Sequence, residues 1–282
     1  MTMTRDELVE AILYQGSRLK DPPEKLLELA NRVADSFRLE TEVVLPLLGP
    51  RGYDLIDEQD YVYPQGKRKA KLNSLGLVTK RDPADITHVV FHQTAVEFGV
   101  SARQIAASGG DRTLALARRA LDVACHVFAS RQGFYVKTHP LVDYIQHGNG
   151  YNAFSLGMEI DGRYAGLEDD PATVAREDLN TTWKGDPTEL TEQTIRAACA
   201  ALQYLVIEGR KQGMPLTHVV AHRQSSPTRR SDPGQAIWQE VVLGYAESEL
   251  GLQVDLDDFL THRKGPGRAI PHQWDSRSHA RY

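Results

Sequence analysis

Cysteine is nearly missing from this sequence: Cys125 and Cys199 are the two in 282 residues, and no Cys-x-x-Cys occurs. That excludes a disulfide-stapled secreted scaffold and argues against a thiolate metal site. Long apolar runs are missing as well. In the opening stretch, MTMTRDELVEAILYQGSRLKD, the longest is Ala11-Ile12-Leu13-Tyr14, so neither a signal peptide nor a membrane span is expected. The expectation is synthesis in the cytoplasm, with any export by another route. Nor is there a basic excess. The 33 Lys+Arg against 38 Asp+Glu leave a net charge of -5, which argues against a dedicated nucleic-acid binder. What is present is ordinary in amount, 41% hydrophobic and 25% charged, enough for a sizeable core in one large domain or two modest ones. Histidine departs from the ordinary. There are ten.

The chain reads as mixed helix and strand. Thr4-Arg5-Asp6-Glu7 is a capping-box pattern and Asp21-Pro22-Pro23-Glu24 a second helix start, so residues 1–84 are expected to hold two short helices and irregular chain. A turn signal stands at Gly49-Pro50, and the basic run Lys67–Lys71 reads as a solvated loop. From about residue 85 the texture changes. Thr87-His88-Val89-Val90-Phe91-His92 and Thr217-His218-Val219-Val220-Ala221-His222 are nearly identical and β-branched, as expected of two buried strands in one sheet. Between them, helices are expected from Ser101 and over Thr113–Leu121, and a hairpin around Arg131-Gln132-Gly133. Ser155–Asp161 alternates, with Leu156, Met158 and Ile160 on one face and Gly157, Glu159 and Asp161 on the other. Thr191–Gln212 is the longest helix candidate, a last helix runs from about Gln235 to Leu250, and residues 246–282 read as a polar tail. The fold class expected is α/β, a central mixed sheet flanked by helices, with a small N-terminal helical region.

Both histidine strands end on a histidine, and open α/β sheets place their sites at strand C-terminal ends. Ten residues after His222 comes Asp232-Pro233-Gly234, a rigid turn carrying a carboxylate. Two neutral imidazoles, one carboxylate and an open fourth position make a catalytic zinc sphere. His88 and His218 are alternatives, but each lies about 13 Å along its strand from its partner, so one of each pair can serve. The His-x-x-x-His spacing fails as a zincin motif, which needs a helix and a glutamate after the first histidine.

Five segments stand in a telling order: Phe91-His92-Gln93-Thr94-Ala95, Cys125-His126-Val127-Phe128, His147 through Glu159, Ala221-His222-Arg223, and Arg230-Ser231-Asp232-Pro233-Gly234. In that order they resemble the zinc-dependent N-acetylmuramoyl-L-alanine amidases, a family similar to the peptidoglycan recognition proteins. The resemblance covers residues 85–245. It implies one zinc ion per chain on His92, His222 and Asp232, Glu159 as the acid/base, and Arg230 as a stabiliser of the tetrahedral oxyanion. It implies cleavage of the amide between N-acetylmuramic acid and the L-alanine of the stem peptide, through an activated water. His126, His147 and Asn152 are candidate substrate contacts, with structural hydrogen bonding the alternative for the histidines. Two positions depart from the family pattern: Cys125 stands where a tyrosine is common, and Gln93 where a second histidine is common.

The expected function is a zinc hydrolase acting on peptidoglycan or muropeptides, for wall lysis as an endolysin or injected lysin. A cytosolic muropeptide-recycling amidase and a non-catalytic peptidoglycan-binding module on the same fold are the rivals. A lytic enzyme would act on the cell wall, and the N-terminal region is a candidate surface for a protein partner.

Overall fold

The apolar, β-branched stretches do become strands, and they assemble side by side. In the computed structural model the described residues are 55–57, 70–168, 170, 186–257, 259–262 and 265–282. The two helices expected before residue 40, the turn at Gly49-Pro50 and most of the basic run Lys67–Lys71 lie outside them. The chain divides after Asp54, and the described elements all belong to the unit Leu55–Tyr282.

Seven strands form one sheet: β1 (Leu55–Asp57), β2 (His88–Gln93), β3 (Val127–Ala129), β4 (Tyr135–Lys137), β5 (Ser155–Ile160), β6 (His218–Ala221) and β7 (Gln253–Val254). Their order is β1-β4-β3-β5-β2-β6-β7. Every neighbouring pair is parallel except β3 and β4, the expected hairpin. The mixed sheet flanked by helices is therefore the architecture of this chain. The repeated Thr-His-Val-Val segments lie next to each other in register, with His88 opposite His218 and the two rings stacked at 4.9 Å.

Strand alternation gives the sheet two different faces. Val89, Phe91, Leu156, Met158 and Val219 point to one side, into the main core. Helix α3 (Glu192–Lys211) covers that side with Ala197, Ala198, Ala201, Leu202 and Leu205, and its Thr191 cap accepts from Thr194 N–H. A further helix, α4 (Gln235–Ile237), continues with π-type bonding over Trp238–Glu247 and packs in the same core. The opposite face carries Val90, His92, Gly157, Glu159 and Val220. Two short helices lie between β2 and β3 in sequence: α1 (Ala102–Ala107), which starts at Ser101 as expected and is opened there by a capping box, and α2 (Arg112–Ala120). Helix α2 packs Leu116, Ala117 and Ala120 against Phe128 and Val136 at one end of this face. Tyr151, Phe154 and Leu260 pack on Val90 and Val220 elsewhere on it.

Two expected boundaries change. The described residues before 85, which are 55–57 and 70–84, belong to the folded unit: β1 pairs with β4, and Ala70 and Lys80 bridge to Ile145 and Asp143. A three-residue strand is too short to show an alternation in sequence. The stretch 246–282 is not a tail. β7 extends the sheet, and Leu252, Ile270 and Trp274 are buried in the main core. Leu252 stands in the alternation Leu250-Leu252-Val254-Leu256, while Ile270 and Trp274 stand among mostly polar residues, where no periodicity announces their burial.

Candidate metal centre

Parallel pairing places the key residues before any side chain is considered. His92 lies opposite Glu159 across the β2–β5 pair, so both project from the same face on adjacent strands, about 4.8 Å apart. His222 follows β6 directly, and all three stand at strand C-terminal ends. Asp232 returns to meet them. Its Oδ1 accepts the Gln93 backbone N–H at 2.9 Å, and its Oδ2 is 2.9 Å from His222 Nδ1. That same Nδ1 faces His92 Nδ1 at 2.9 Å. The ligand atoms of His92, His222 and Asp232 all fall within 4.8 Å of one another, the one such group of three among the described residues.

The donor chemistry suits a metal ion. Burial, reinforced by the neighbouring imidazoles of His222 and His147 and by the Arg229 cation, holds His92 well below the usual histidine pKa. It is therefore a neutral donor at neutral pH. Its other nitrogen, Nε2, is 3.1 Å from His147 Nδ1, a contact that fixes the ring orientation.

Three residues read as candidate substrate contacts make structural hydrogen bonds beneath the centre. His126 is fully buried: its Nδ1 accepts from Gly157 N–H at 2.9 Å, and its Nε2 lies 2.9 Å from Arg81 Nη2. It has no surface with which to touch a substrate. His147 is buried against Gly157, where a Cβ would come within 2.6 Å of the imidazole, so only glycine leaves the ring its place. Asn152 spends its side-chain oxygen on the backbone N–H groups of His147 and Gly148, at 2.9 and 2.6 Å. These residues orient the centre from below. Sequence reading missed Arg81, whose buried guanidinium donates to the carbonyls of Leu141, Asn152 and Ser155 and so ties that layer together. A lone arginine in a polar stretch gives no signal of this role.

Both departures from the family pattern find explanations. Gln93 points away from the metal side and stitches β2 to the ligand loop: its Nε2 donates to the carbonyls of Tyr164 and Ser231, and its Oε1 accepts Tyr164 N–H. Cys125 is completely buried, 3.6 Å from the Thr138 hydroxyl. Burial and the nearby Glu159 charge push its thiol pKa well up, so it is no nucleophile. Glu159 itself is partly exposed on the metal face. Arg230 stands two residues before Asp232 on the same loop. Its guanidinium lies over the Tyr282 ring at 4.8 Å, and the neighbouring Arg229 is the cation whose field reaches His92.

A stack of neutral histidines makes stability depend on pH. Burial lowers His147 to about 3 and His88 to about 4, and holds His126 well below its usual value. In the unfolded chain each would titrate near 6.5. Above about pH 6.5 both states are neutral and the stability is intact. As pH falls from there toward about 3–4 the unfolded chain gains protons that the fold refuses, and stability drops. Each such histidine contributes up to ~1.4 kcal/mol per pH unit in that window. Urea midpoints of the metal-free protein are expected to fall steadily from pH 7 to pH 4. A flat profile would show that these imidazoles protonate within the fold.

Comparison with solved structures finds similar chains. The endolysin N-acetylmuramoyl-L-alanine amidase LysCS from Clostridium intestinale is 14% identical, covering 71% of this chain and 97% of its own, with a TM-score of 0.39. Wild-type Drosophila PGRP-LB is 16% identical, over 71% of this chain and 95% of its own, with a TM-score of 0.41. The ectodomain complex of peptidoglycan recognition proteins LCa and LCx, bound to tracheal cytotoxin, is 19% identical, over 64% and 90%, with a TM-score of 0.37. No curated protein matches. The family model of N-acetylmuramoyl-L-alanine amidase matches residues 82–235, more than half of the sequence and a span that holds His92, Glu159, His222 and Asp232. This chain belongs to the N-acetylmuramoyl-L-alanine amidase family.

Proposed function

We propose that this chain is an active, zinc-dependent amidase that cuts the bond between N-acetylmuramic acid and L-alanine in cell-wall peptidoglycan. The observation that carries the reading is the convergence of His92, His222 and Asp232 from three segments, with Glu159 beside His92 on the next strand. Two imidazoles and one carboxylate, with no thiol in the group, suit zinc with a position left open. His92, His222 and Asp232 would hold the ion, which would supply activation of a water near neutral pH and polarisation of the amide carbonyl.

The chain's own groups supply the rest. An amide has a poor leaving group, so a proton must reach the departing nitrogen. Glu159 takes a proton at its carboxylate and delivers it to that amine. Its partly exposed place on the metal face suits the exchange. The developing negative charge on the carbonyl oxygen calls for a cation, and this loop offers Arg230 and the neighbouring Arg229, whose charge reaches His92. His147 holds the ring of His92 throughout.

The family match leaves residues 1–81 and 236–282 beyond it, and the segment before Leu55 is additional to the unit that carries the centre. We read this as a wall-lytic enzyme, an endolysin or injected lysin. The test is mass spectrometry of products from intact sacculi and, separately, from small anhydro-muropeptides, with zinc content measured on the same protein. About one zinc per chain and free stem peptides released from sacculi are expected. Release from the small muropeptides alone would make it a recycling enzyme. Binding to sacculi without release would make it a recognition module.

A further inference from the structure

Between His222 and Asp232 the regular structure is one 3-10 turn, His222–Ser225. Two proposed ligands therefore depend on whatever fixes that loop. Arg223, beside His222, is fully buried. Its backbone N–H donates to the Asp232 carbonyl at 3.1 Å, and its Nη1 donates to the Arg230 carbonyl at 2.5 Å. The guanidinium thus closes the loop from inside. Two rings from far downstream lie against it: Arg223 Cζ is 4.9 Å from the centre of the Trp274 ring and 5.3 Å from that of Tyr282. The Tyr282 ring also carries Arg230 at 4.8 Å, and its hydroxyl is 2.8 Å from Ser231 Oγ, one residue before Asp232. The downstream segment is itself anchored. Arg268 N–H donates to the Arg223 carbonyl at 2.8 Å, and the buried Trp274 indole N–H donates to the Gly166 carbonyl. A Cβ on Gly166 would stand 2.0 Å from the Tyr282 hydroxyl, so only glycine lets Tyr282 approach this closely.

We infer that residues 268–282 are a positioning strap for the metal centre. Trp274 and Tyr282 hold Arg223, Arg230 and Ser231, and through them set His222 and Asp232 in ligating geometry. The strap lies beyond the residues 82–235 that match the family. It rests on the reading of the centre as a zinc site. Its physical basis is preorganisation: a loop held in place by cation–π stacking and hydrogen bonds need not be ordered when the metal arrives.

The test uses Tyr282→Ala and Tyr282→Phe in the full chain. Zinc affinity is measured by competition with a chromophoric chelator, and hydrogen exchange across residues 223–232 is measured on the metal-free protein. Partners outside the ligand sphere typically change metal affinity by ~10–100-fold, and Tyr282→Ala is expected to weaken zinc binding in that range. Tyr282→Phe keeps the ring over both guanidinium groups and is expected to stay within about 3-fold of the parent. The Arg223 and Asp232 amides, which bond within the loop, are expected to exchange faster in Tyr282→Ala. Should that variant fail to fold, Tyr282→Leu keeps apolar bulk without a π-face, and the same loss is expected. Equal zinc affinity in the alanine or leucine variant and the parent overturns the strap. If the parent takes up no zinc, the zinc reading falls by itself. Exchange then decides: unchanged protection over 223–232 overturns the strap, and faster exchange upholds it as the clamp of this loop.

Discussion

Replacing His222 with alanine is expected to empty the centre of zinc and cut peptidoglycan hydrolysis by ~10³-fold or more. His222 is the middle of the group: its Nδ1 faces both His92 Nδ1 and Asp232 Oδ2 at 2.9 Å. Without it two donors remain, too few to hold zinc in a catalytic geometry. The fold should survive, because Asp232 keeps its bond from Gln93 N–H and the loop keeps its closure through Arg223. Metal analysis and stem-peptide release on the same preparation check this. Activity retained in a folded, zinc-free His222→Ala protein would remove the metal from the mechanism.

Glu159→Gln is expected to separate proton transfer from metal binding. The substitution is isosteric and lies outside the ligand set, so zinc content should match the parent. General acid–base groups typically contribute 10²–10⁴-fold, and a loss of kcat of ~10²–10⁴-fold is expected with KM little changed. Near-parental kcat in Glu159→Gln would reassign the acid/base role. Loss of zinc instead would place the carboxylate among the ligands. The two variants fail differently, so together they test the arrangement in which Glu159 stands opposite His92 in the parallel register.

Legibility in the sequence followed local pattern. Alternation in Ser155–Ile160 put Glu159 on the face opposite Leu156 and Met158, and it lies there. The helix start at Ser101 and the long helix near Thr191–Gln212 were equally plain, because caps and helical spacing act within a few residues. Roles set by distant neighbours were not legible. His126 and His147 occur in motifs that suggest substrate contact, yet both are buried: His147 abuts His92, and His126 underlies β5 at Gly157. Trp274 and Ile270 sit in a polar stretch, and their burial depends on what folds over them.

By itself, then, the sequence determined the α/β texture, the paired histidine strands and the ordered set His92, Glu159, His222 and Asp232, since each is written in short-range patterns of residue type. The tertiary structure alone decided which nitrogen and oxygen atoms meet, that Arg230 stacks on Tyr282, and that residues 268–282 close over the ligand loop. The reason is physical. Strand register and burial arise from contacts between residues far apart in the chain, and only folding brings those contacts into being.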